Sequence, residues 1–257
     1  MKRITGILYG ILFFLVGACF EPPQFSNQPS IAIEDVRVQK VGGAAVADSL
    51  IITVNFQDGD GNIGISGSEN TPPFHERWYF LKTPLPTCEP GLMAPCTKIS
   101  YVDDQNMANY VTYKSRRGGA PYDTLPAFTK PYDCQNYVVL KKAGNVTIDT
   151  LYSQLNPRYF NLFIRVEYKS GSDFIPYEYN NAPYPNCDIY GLNARLPILA
   201  KDGDVNSKLP LEGVITYKLT SASFTPLLGK VLRLKIKLMD RDGNISNEDT
   251  SKEFVFN

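Results

Sequence analysis

The chain has very little histidine and no net charge. His75 is the single histidine among 257 residues, and 26 basic residues balance 26 acidic ones. A catalytic serine or cysteine that needs an imidazole base could therefore be built only around His75, for which no partner nucleophile is identifiable. Zinc sites rich in histidine are excluded by count. The balanced charge gives no basic field that would attract nucleic acid or anionic lipid headgroups.

Two other catalytic arrangements lack essential parts. The Gly-containing segment 58–62 has no P-loop lysine and opens no clear helix. Asp103 and Asp104 are adjacent, and neighbouring residues of a strand face opposite ways, so they make a poor glycosidase pair. We therefore expect a protein without enzymatic activity, and a carboxylate-dependent glycan hydrolase is the less favoured alternative.

The N-terminus has the pattern of an export leader. Lys2 and Arg3 precede the apolar stretch 7–15, and Val16-Gly17-Ala18-Cys19 follows it. A charged start, a short apolar core and small residues before a cleavage site are typical of a signal peptide. The apolar stretch is shorter than the ~20 residues that a membrane-spanning helix needs. The alternatives are an ordinary secretory signal or a single-span anchor.

Cysteine is scarce, and its count indicates disulfides. If Cys19 carries a lipid, four cysteines remain, which in an exported chain predicts two bridges with three connectivities open. We favour Cys88–Cys96 within one Pro-rich loop and Cys134–Cys187 across a long one. A four-thiolate metal site is the alternative, but the spacing lacks the paired C-x-x-C ligands of zinc modules.

Alternating apolar residues predict an all-β fold. Leu50, Ile52, Val54 and Phe56 alternate with Ile51, Thr53, Asn55 and Gln57, which is the period of a half-buried strand. The other predicted strands cover 31–38, 77–82, 97–102, 109–114, 136–141, 158–169, 213–220, 230–239 and 253–256. Residues 146–155 are predicted as one short helix that ends before Pro157. Many short strands separated by turn residues predict an immunoglobulin-like β-sandwich with long Pro/Tyr-rich loop insertions.

The expected organisation has three parts. Residues 1–18 form the signal peptide, and residues 19–30 comprise the lipidated Cys19 and a Pro-containing flexible tether. Residues 31–257 form a single sandwich domain with insertions near 83–135 and 170–200.

Two strands end in matching acidic segments. Leu50 to Gly64 reads LIITVNFQDGDGNIG, and Leu232 to Ser246 reads LRLKIKLMDRDGNIS. A third copy, which matches the other two less completely, begins at Asp202. The corresponding oxygen-bearing residues of the three copies are Asp58, Asp60 and Asn62; Asp240, Asp242 and Asn244; and Asp202, Asp204 and Asn206.

These segments support two interpretations. Calcium takes six to eight hard oxygen ligands, and oxygens on alternate residues of a tight loop can converge on one ion. Glu69 falls where a calcium loop starting at Asp58 would place its last carboxylate, but Ile63 occupies the position where an EF-hand needs glycine. The alternative is turn chemistry alone, because Asp-Gly and Gly-Asn are preferred in hairpin turns.

Topology favours convergence of the three segments. If 50–57, 213–220 and 230–239 are strands B, E and F of an immunoglobulin-like sandwich, the acidic loops are the B–C, D–E and F–G connections. All three then lie at one end of the sandwich, which we call the acidic pole. Six aspartates would repel one another there, and cations would relieve the repulsion.

The combination of these features resembles a family. A lipobox-like Val16-Gly17-Ala18-Cys19, a proline tether and a strand that ends in Asp-Gly-Asp-Gly-Asn-Ile-Gly resemble Bacteroidota envelope lipoproteins with an immunoglobulin- or fibronectin-like sandwich. The resemblance covers both ends of the chain and not its middle. It implies a lipid-anchored protein of the bacterial cell envelope, at the outer membrane, and brings no established activity.

The tyrosine-rich stretch 177–190 is the remaining candidate binding surface. Tyr177, Tyr179, Tyr184 and Tyr190 offer large flat rings with polar tips, which suit peptides and sugars. The alternative is that these rings cover the sandwich flank. We expect a membrane-anchored binding or assembly module, stabilised by calcium if the acidic loops bind it. Its partner is another envelope protein or, in the alternative function of a glycan-binding accessory lipoprotein, a glycan.

Overall fold

The computed structural model describes residues 24–40, 49–89, 94–126, 135–141, 147–179, 191–200, 203–204, 206 and 208–256. Some predicted features lie outside these residues, namely the leader 1–18, Cys19, Asp202, Cys134, Cys187, Tyr184 and Tyr190. They stay predictions. In the described part of the chain, no helix is both long and apolar enough to span a bilayer.

Strands dominate the structure. They are β1 (Ser30–Gln39), β2 (Ser49–Asp58), β3 (Arg77–Leu85), β4 (Cys96–Ile99), β5 (Tyr137–Lys141), β6 (Thr147–Leu155), β7 (Leu162–Ser170), β8 (Asp173–Pro176), β9 (Leu211–Thr220), β10 (Val231–Leu238), β11 (Asp249–Thr250) and β12 (Phe254–Val255). The helical segments are short: 3-10 turns at Asp104–Asn109 and Ser221–Leu227, and helix α1 at Tyr113–Arg117. The all-β prediction is confirmed.

Two antiparallel sheets form the sandwich. One has the order β1-β2-β9, and the other has the order β11-β10-β7-β8, with β12 also paired to β10. These are the orders A-B-E and G-F-C-C′ of an immunoglobulin-like sandwich, in which β2 is strand B, β9 is strand E and β10 is strand F. The assignment of strands B, E and F from the sequence therefore holds.

The sandwich core lies between these two sheets. Successive residues of a strand point to opposite faces, so every second residue of β2 and β10 enters the core. Leu232, Leu234 and Ile236 of β10 are fully buried, and Ile52 and Val54 of β2 lie in the same apolar cluster. Each such side chain contributes about 1.5–3 kcal/mol of hydrophobic stabilisation. This shared core fixes the relative position of the loops that follow β2 and β10.

A separate sheet is inserted between β2 and β7. It has the order β4-β3-β6-β5 and packs its own small apolar clusters. One contains Leu81, Ile99, Tyr110 and Leu151, and the other contains Val111, Tyr137 and Tyr152. The strands predicted at 77–82, 97–102 and 136–141 correspond to β3, β4 and β5 of this sheet.

Two predicted elements are wrong. Residues 146–155 were expected to be helical, but Thr147–Leu155 is β6, which pairs with β5 on one side and β3 on the other. Residues 109–114 were expected to be a strand, but they contribute only isolated bridges at Tyr110 and Thr112 before α1 begins. In both places the strand partners, and not the local sequence pattern, decide the local structure.

One predicted disulfide is present. Cys88 bonds to Cys96, the first residue of β4, with a separation of eight residues along the chain. The bridge closes the loop that connects β3 to β4, as the sequence predicts. It therefore tethers the edge strand of the inserted sheet to its neighbour.

Candidate functional site

Two strands of the sandwich end in acidic turns. β2 ends at Asp58, and β10 ends two residues before Asp240. Gly61 and Gly243 have φ angles of 61° and 95°, which glycine adopts readily because it lacks a Cβ. At Gly61 a Cβ would also lie 2.1 Å from Leu209 O, so no side chain fits there. The geometry of the turns therefore explains the glycines, but it does not explain the carboxylates beside them.

The turns bring three carboxylates together. One oxygen from each of Asp58, Asp60 and Asp240 lies within 4.8 Å of the other two. Calcium binds its ligands at about 2.3–2.6 Å, so two ligands on opposite sides of one ion are about 4.6–5.2 Å apart. The three carboxylates are thus close enough to share a single calcium ion.

Several buried oxygens at this pole have no hydrogen-bond donor. Asp58 is 0% exposed; its Oδ2 accepts a hydrogen bond from Asn62 N at 3.0 Å, whereas its Oδ1 has no partner. Asp60 Oδ1 and Asn62 Oδ1 are also buried without a partner. An unsatisfied buried acceptor costs about 1–3 kcal/mol, and more if it is charged. A cation among these oxygens would remove that cost.

The other polar atoms of the pole hold the two loops together. Asp240 Oδ1 accepts hydrogen bonds from the backbone N–H groups of Gly243 and Asn244, both at 2.7 Å. Asn244 Nδ2 donates to Asp240 Oδ2 at 2.6 Å, and Asn62 Nδ2 donates to Asp242 Oδ2 at 3.1 Å. Asn62, Asp242 and Asn244 therefore lie beside the three carboxylates, as the topology predicted.

The electrostatics of the cluster disfavour its fully ionised form. Burial raises the pKa of Asp58 to about 7, and the charges of Asp60 and Asp240 add to the rise. Burial also raises the pKa of Asp60, assisted by Asp240 and Asp242. Carboxylates this close repel one another when ionised, and a divalent cation would offset the repulsion.

The third acidic segment contributes no described carboxylate to the cluster. Asp204 is exposed, and its Oδ1 accepts a hydrogen bond from the backbone N–H of Asn206 at 2.9 Å. Within the described residues the cluster is built from two loops, although the chain at Leu209 approaches Gly61. Asp204 and Asn206 form a local turn, which is the alternative that the sequence left open.

Both carboxylate oxygens of Glu69 are held by an arginine. Arg241, which lies between Asp240 and Asp242, donates from Nη1 to Glu69 Oε2 at 2.9 Å and from Nη2 to Glu69 Oε1 at 2.5 Å. These hydrogen bonds lower the pKa of Glu69 and raise that of Arg241. Glu69 is not among the three clustered carboxylates, and its suggested likeness to the last ligand of a calcium loop stays a prediction.

Arg241 is one of three arginines that hold the chain leading from β2 to the inserted sheet. Together with Arg158 and Arg195 it forms what we call the arginine clasp. Arg195 donates from Nη2 to Ser66 O and Glu69 O, at 2.9 and 2.8 Å. The guanidinium carbons of Arg241 and Arg158 lie 4.7 and 5.5 Å from the ring centre of the buried Phe74. The clasp connects the acidic pole to the inserted sheet.

The described tyrosines pack against the sandwich. Tyr177 and Tyr179 are half-buried against the core, with ring centres 4.8 Å apart and planes at 87°. They border a groove of about 480 Å³ that Lys235, Lys237 and Glu248 also line. Two perpendicular rings form no flat platform for a sugar face, so these two fit the interpretation that they cover the flank.

The remaining catalytic candidates have structural partners. His75 is buried, and its ring lies 3.8 Å from the ring of Trp78 in an edge-to-face contact. Asp103 caps the 3-10 turn that follows it, because its Oδ1 accepts a hydrogen bond from Gln105 N at 2.9 Å. Neither residue lies among the three clustered carboxylates.

Comparison with known proteins gives no further identification. No protein-family model, curated protein or solved structure matches this chain. Its function is therefore inferred from the acidic pole and from the sequence pattern of its N-terminus.

Proposed function

We propose that this chain is a lipid-anchored module of the bacterial cell envelope that binds calcium at its acidic pole and acts by binding or assembly, without enzymatic activity. The leader and Cys19 support the anchor, and the β-sandwich provides the rigid body. The observation that carries the calcium proposal is Asp58 Oδ1, which is buried and unpartnered beside two other carboxylates.

The donor set at the pole suits a hard cation. Asp58, Asp60 and Asp240 offer carboxylate oxygens, and Asn62 offers an amide oxygen that has no hydrogen-bond donor. Calcium accepts carboxylate, amide, carbonyl and water oxygens in flexible geometry. Because these residues come from the loops after β2 and after β10, one ion would cross-link the two sheets at this pole.

Calcium should raise the melting temperature of the full chain. At calcium tenfold above its Kd, the folded state gains about 1.4 kcal/mol, which for a domain of this size corresponds to about 3–6 °C. Asp58→Asn should abolish the calcium-dependent rise, and it should not lower the melting temperature in chelator, because it removes a buried charge from the cluster. Differential scanning calorimetry with calcium, magnesium and chelator measures both effects.

Asp204→Asn is the matched control. It changes the same residue type in the third acidic segment, where the carboxylate is exposed, so the calcium response should stay that of the unmodified chain. A melting temperature that is indifferent to calcium and to chelator would refute the calcium site. If both variants lost the calcium-dependent rise in melting temperature equally, the ion would bind somewhere other than the three clustered carboxylates.

The anchor has its own test. Mass spectrometry of the mature N-terminus should find acyl chains on Cys19 and no residue from 1–18. An unmodified N-terminus or an intact leader would contradict the lipid anchor and leave the calcium proposal standing.

A further inference from the structure

Among the residues that the structure describes, the β1-β2-β9 sheet has one open edge. β9 pairs with β2 along its whole length, from Leu211 opposite Asp58 to Thr220 opposite Ser49, and in the described residues it has no second partner strand. In constant-type immunoglobulin sandwiches, strand D covers the edge that β9 exposes here. Within the described residues, every second residue of β9 therefore presents its backbone N–H and C=O groups to a further strand.

The opposite edge of the same sheet is protected. Ile31 N donates to Asn247 Oδ1, Ile33 N donates to Asp249 Oδ2, and Asn247 Nδ2 donates back to Ile31 O. A bulge between Ile33 and Asp35 also interrupts the β1 edge. β9 has no bulge against β2 and contains no proline, so two of the devices by which proteins block edge pairing are missing, and the charges of Glu212 and Lys218 on its outer face are the ones that remain.

The sequence of β9 is complementary to itself. In an antiparallel pair of two β9 strands whose two-fold axis passes through Ile215, residues whose numbers sum to 430 are opposite each other. On the outer face this register places Glu212 opposite Lys218 and Val214 opposite Thr216. On the core face it places Gly213 opposite Tyr217 and Leu211 opposite Leu219. Opposite charges, β-branched pairs and an aromatic ring over glycine are all favourable cross-strand pairs.

Neighbouring registers of the β9–β9 pair do not place the opposite charges of Glu212 and Lys218 across from each other. Slipping the pairing by one residue would place core-facing residues opposite outer ones, so the allowed alternatives move the axis to Val214 or Thr216. Glu212 would then face Thr216 or Thr220, and neither alternative pairs the two charges. Within the described structure Glu212 accepts a hydrogen bond from Gln57 Nε2 at 3.2 Å.

We propose that two copies of this chain associate through their β9 edges, so that the two β1-β2-β9 sheets form one continuous six-stranded sheet. The partner is a second copy because both charge pairs and the glycine–tyrosine pairs arise from the same ten residues. The proposal is independent of the calcium site, which lies in other loops of the sandwich.

Charge reversal tests the register. Sedimentation equilibrium of the full chain in a density-matched detergent should show a monomer–dimer equilibrium. Glu212→Lys and Lys218→Glu should each weaken the dimer at least about tenfold, because each places like charges opposite each other twice per dimer. The double variant, Glu212→Lys with Lys218→Glu, should restore the affinity of the unmodified chain. A monomer throughout, or a dimer that ignores the reversals, would overturn the proposal.

A cross-link tests the same geometry independently. Val214→Cys combined with Thr216→Cys places two symmetric pairs of thiols opposite each other in the proposed register, so mild oxidation should give a covalent dimer on a non-reducing gel. Asn55→Cys, which lies on the exposed face of the central strand β2, is the matched control and should remain monomeric under the same oxidation. Equal cross-linking of both variants would mean random collision and would overturn the proposal.

Discussion

Arg241→Leu should destabilise the protein by about 3 kcal/mol, because it leaves the carboxylate of Glu69 without its bidentate partner. The Arg241 and Glu69 side chains are 17% and 29% exposed, so solvent screens their interaction only in part. The substitution also removes the hydrogen bond from Nη1 to Gly64 O at 3.0 Å and the cation–π contact with Phe74. Chemical denaturation of both proteins measures the difference.

A double-mutant cycle separates the ion pair from the other contacts of Arg241. Glu69→Gln should cost less than Arg241→Leu, and the two changes should show a coupling energy of about 1–2 kcal/mol because the residues touch. Arg37→Leu is the matched control: Arg37 is 67% exposed and lies 3.8 Å from Asp35, so its removal should change stability by less than about 0.5 kcal/mol. Equal effects of Arg241→Leu and Arg37→Leu would contradict the clasp.

Glu69 adds a pH dependence to this pair. Its pKa is lowered in the folded protein, chiefly by the hydrogen bonds from Arg241, so its contribution is present above the unfolded value of 4.5 and is lost as the pH falls. Arg241→Leu removes the cause of the lowered pKa. The stability difference between the unmodified chain and this variant should therefore shrink in acid.

The sequence predicts the sandwich well because its strands carry their own signal. The alternation in β2 and β10 reflects burial on one face, a property that each strand shows without knowledge of its partner. The pairing of strands is a long-range property, so the inserted sheet could not be separated from the sandwich in the same way. β6 shows the consequence: the short segment 146–155 was predicted as a helix, and its pairing with β3 and β5 makes it a strand.

The sequence likewise predicts some residues of the candidate site and not others. The sequence predicts that one pole holds Asp58, Asp60 and Asp240, because the topology of strands B and F places their loops at the same end of the sandwich. Asp204 was expected with them, but its carboxylate is exposed and does not join the cluster. The path of the chain before β9 decides this position, and no local sequence pattern shows that path. The arginine clasp was not predicted, because the single arginines at 158, 195 and 241 belong to no sequence pattern that indicates which residues they contact.

His75 should titrate near pH 4 in the folded protein. It is 1% exposed, and its Nε2 has no hydrogen-bond partner, so burial disfavours the imidazolium and lowers the pKa from 6.5 to about 4. Lys98 lowers the pKa as well, whereas Glu89 raises it. Because the chain contains one histidine, its Hε1 signal in a proton NMR titration is unambiguous. A midpoint of 6–7 in the folded protein would contradict the buried, neutral ring.

The same shift links stability to pH. Between pH 6.5 and 4 the unfolded chain binds a proton at this histidine and the folded chain does not, so stability falls as the pH drops through that window. At about 1.4 kcal/mol for each pKa unit, the loss approaches about 3 kcal/mol. His75→Phe keeps an aromatic ring against Trp78 but cannot be protonated, so its stability relative to the unmodified chain should rise by this amount between pH 7 and pH 4. Denaturation at both pH values measures the change, and a constant difference between the two proteins would show that His75 does not cause it.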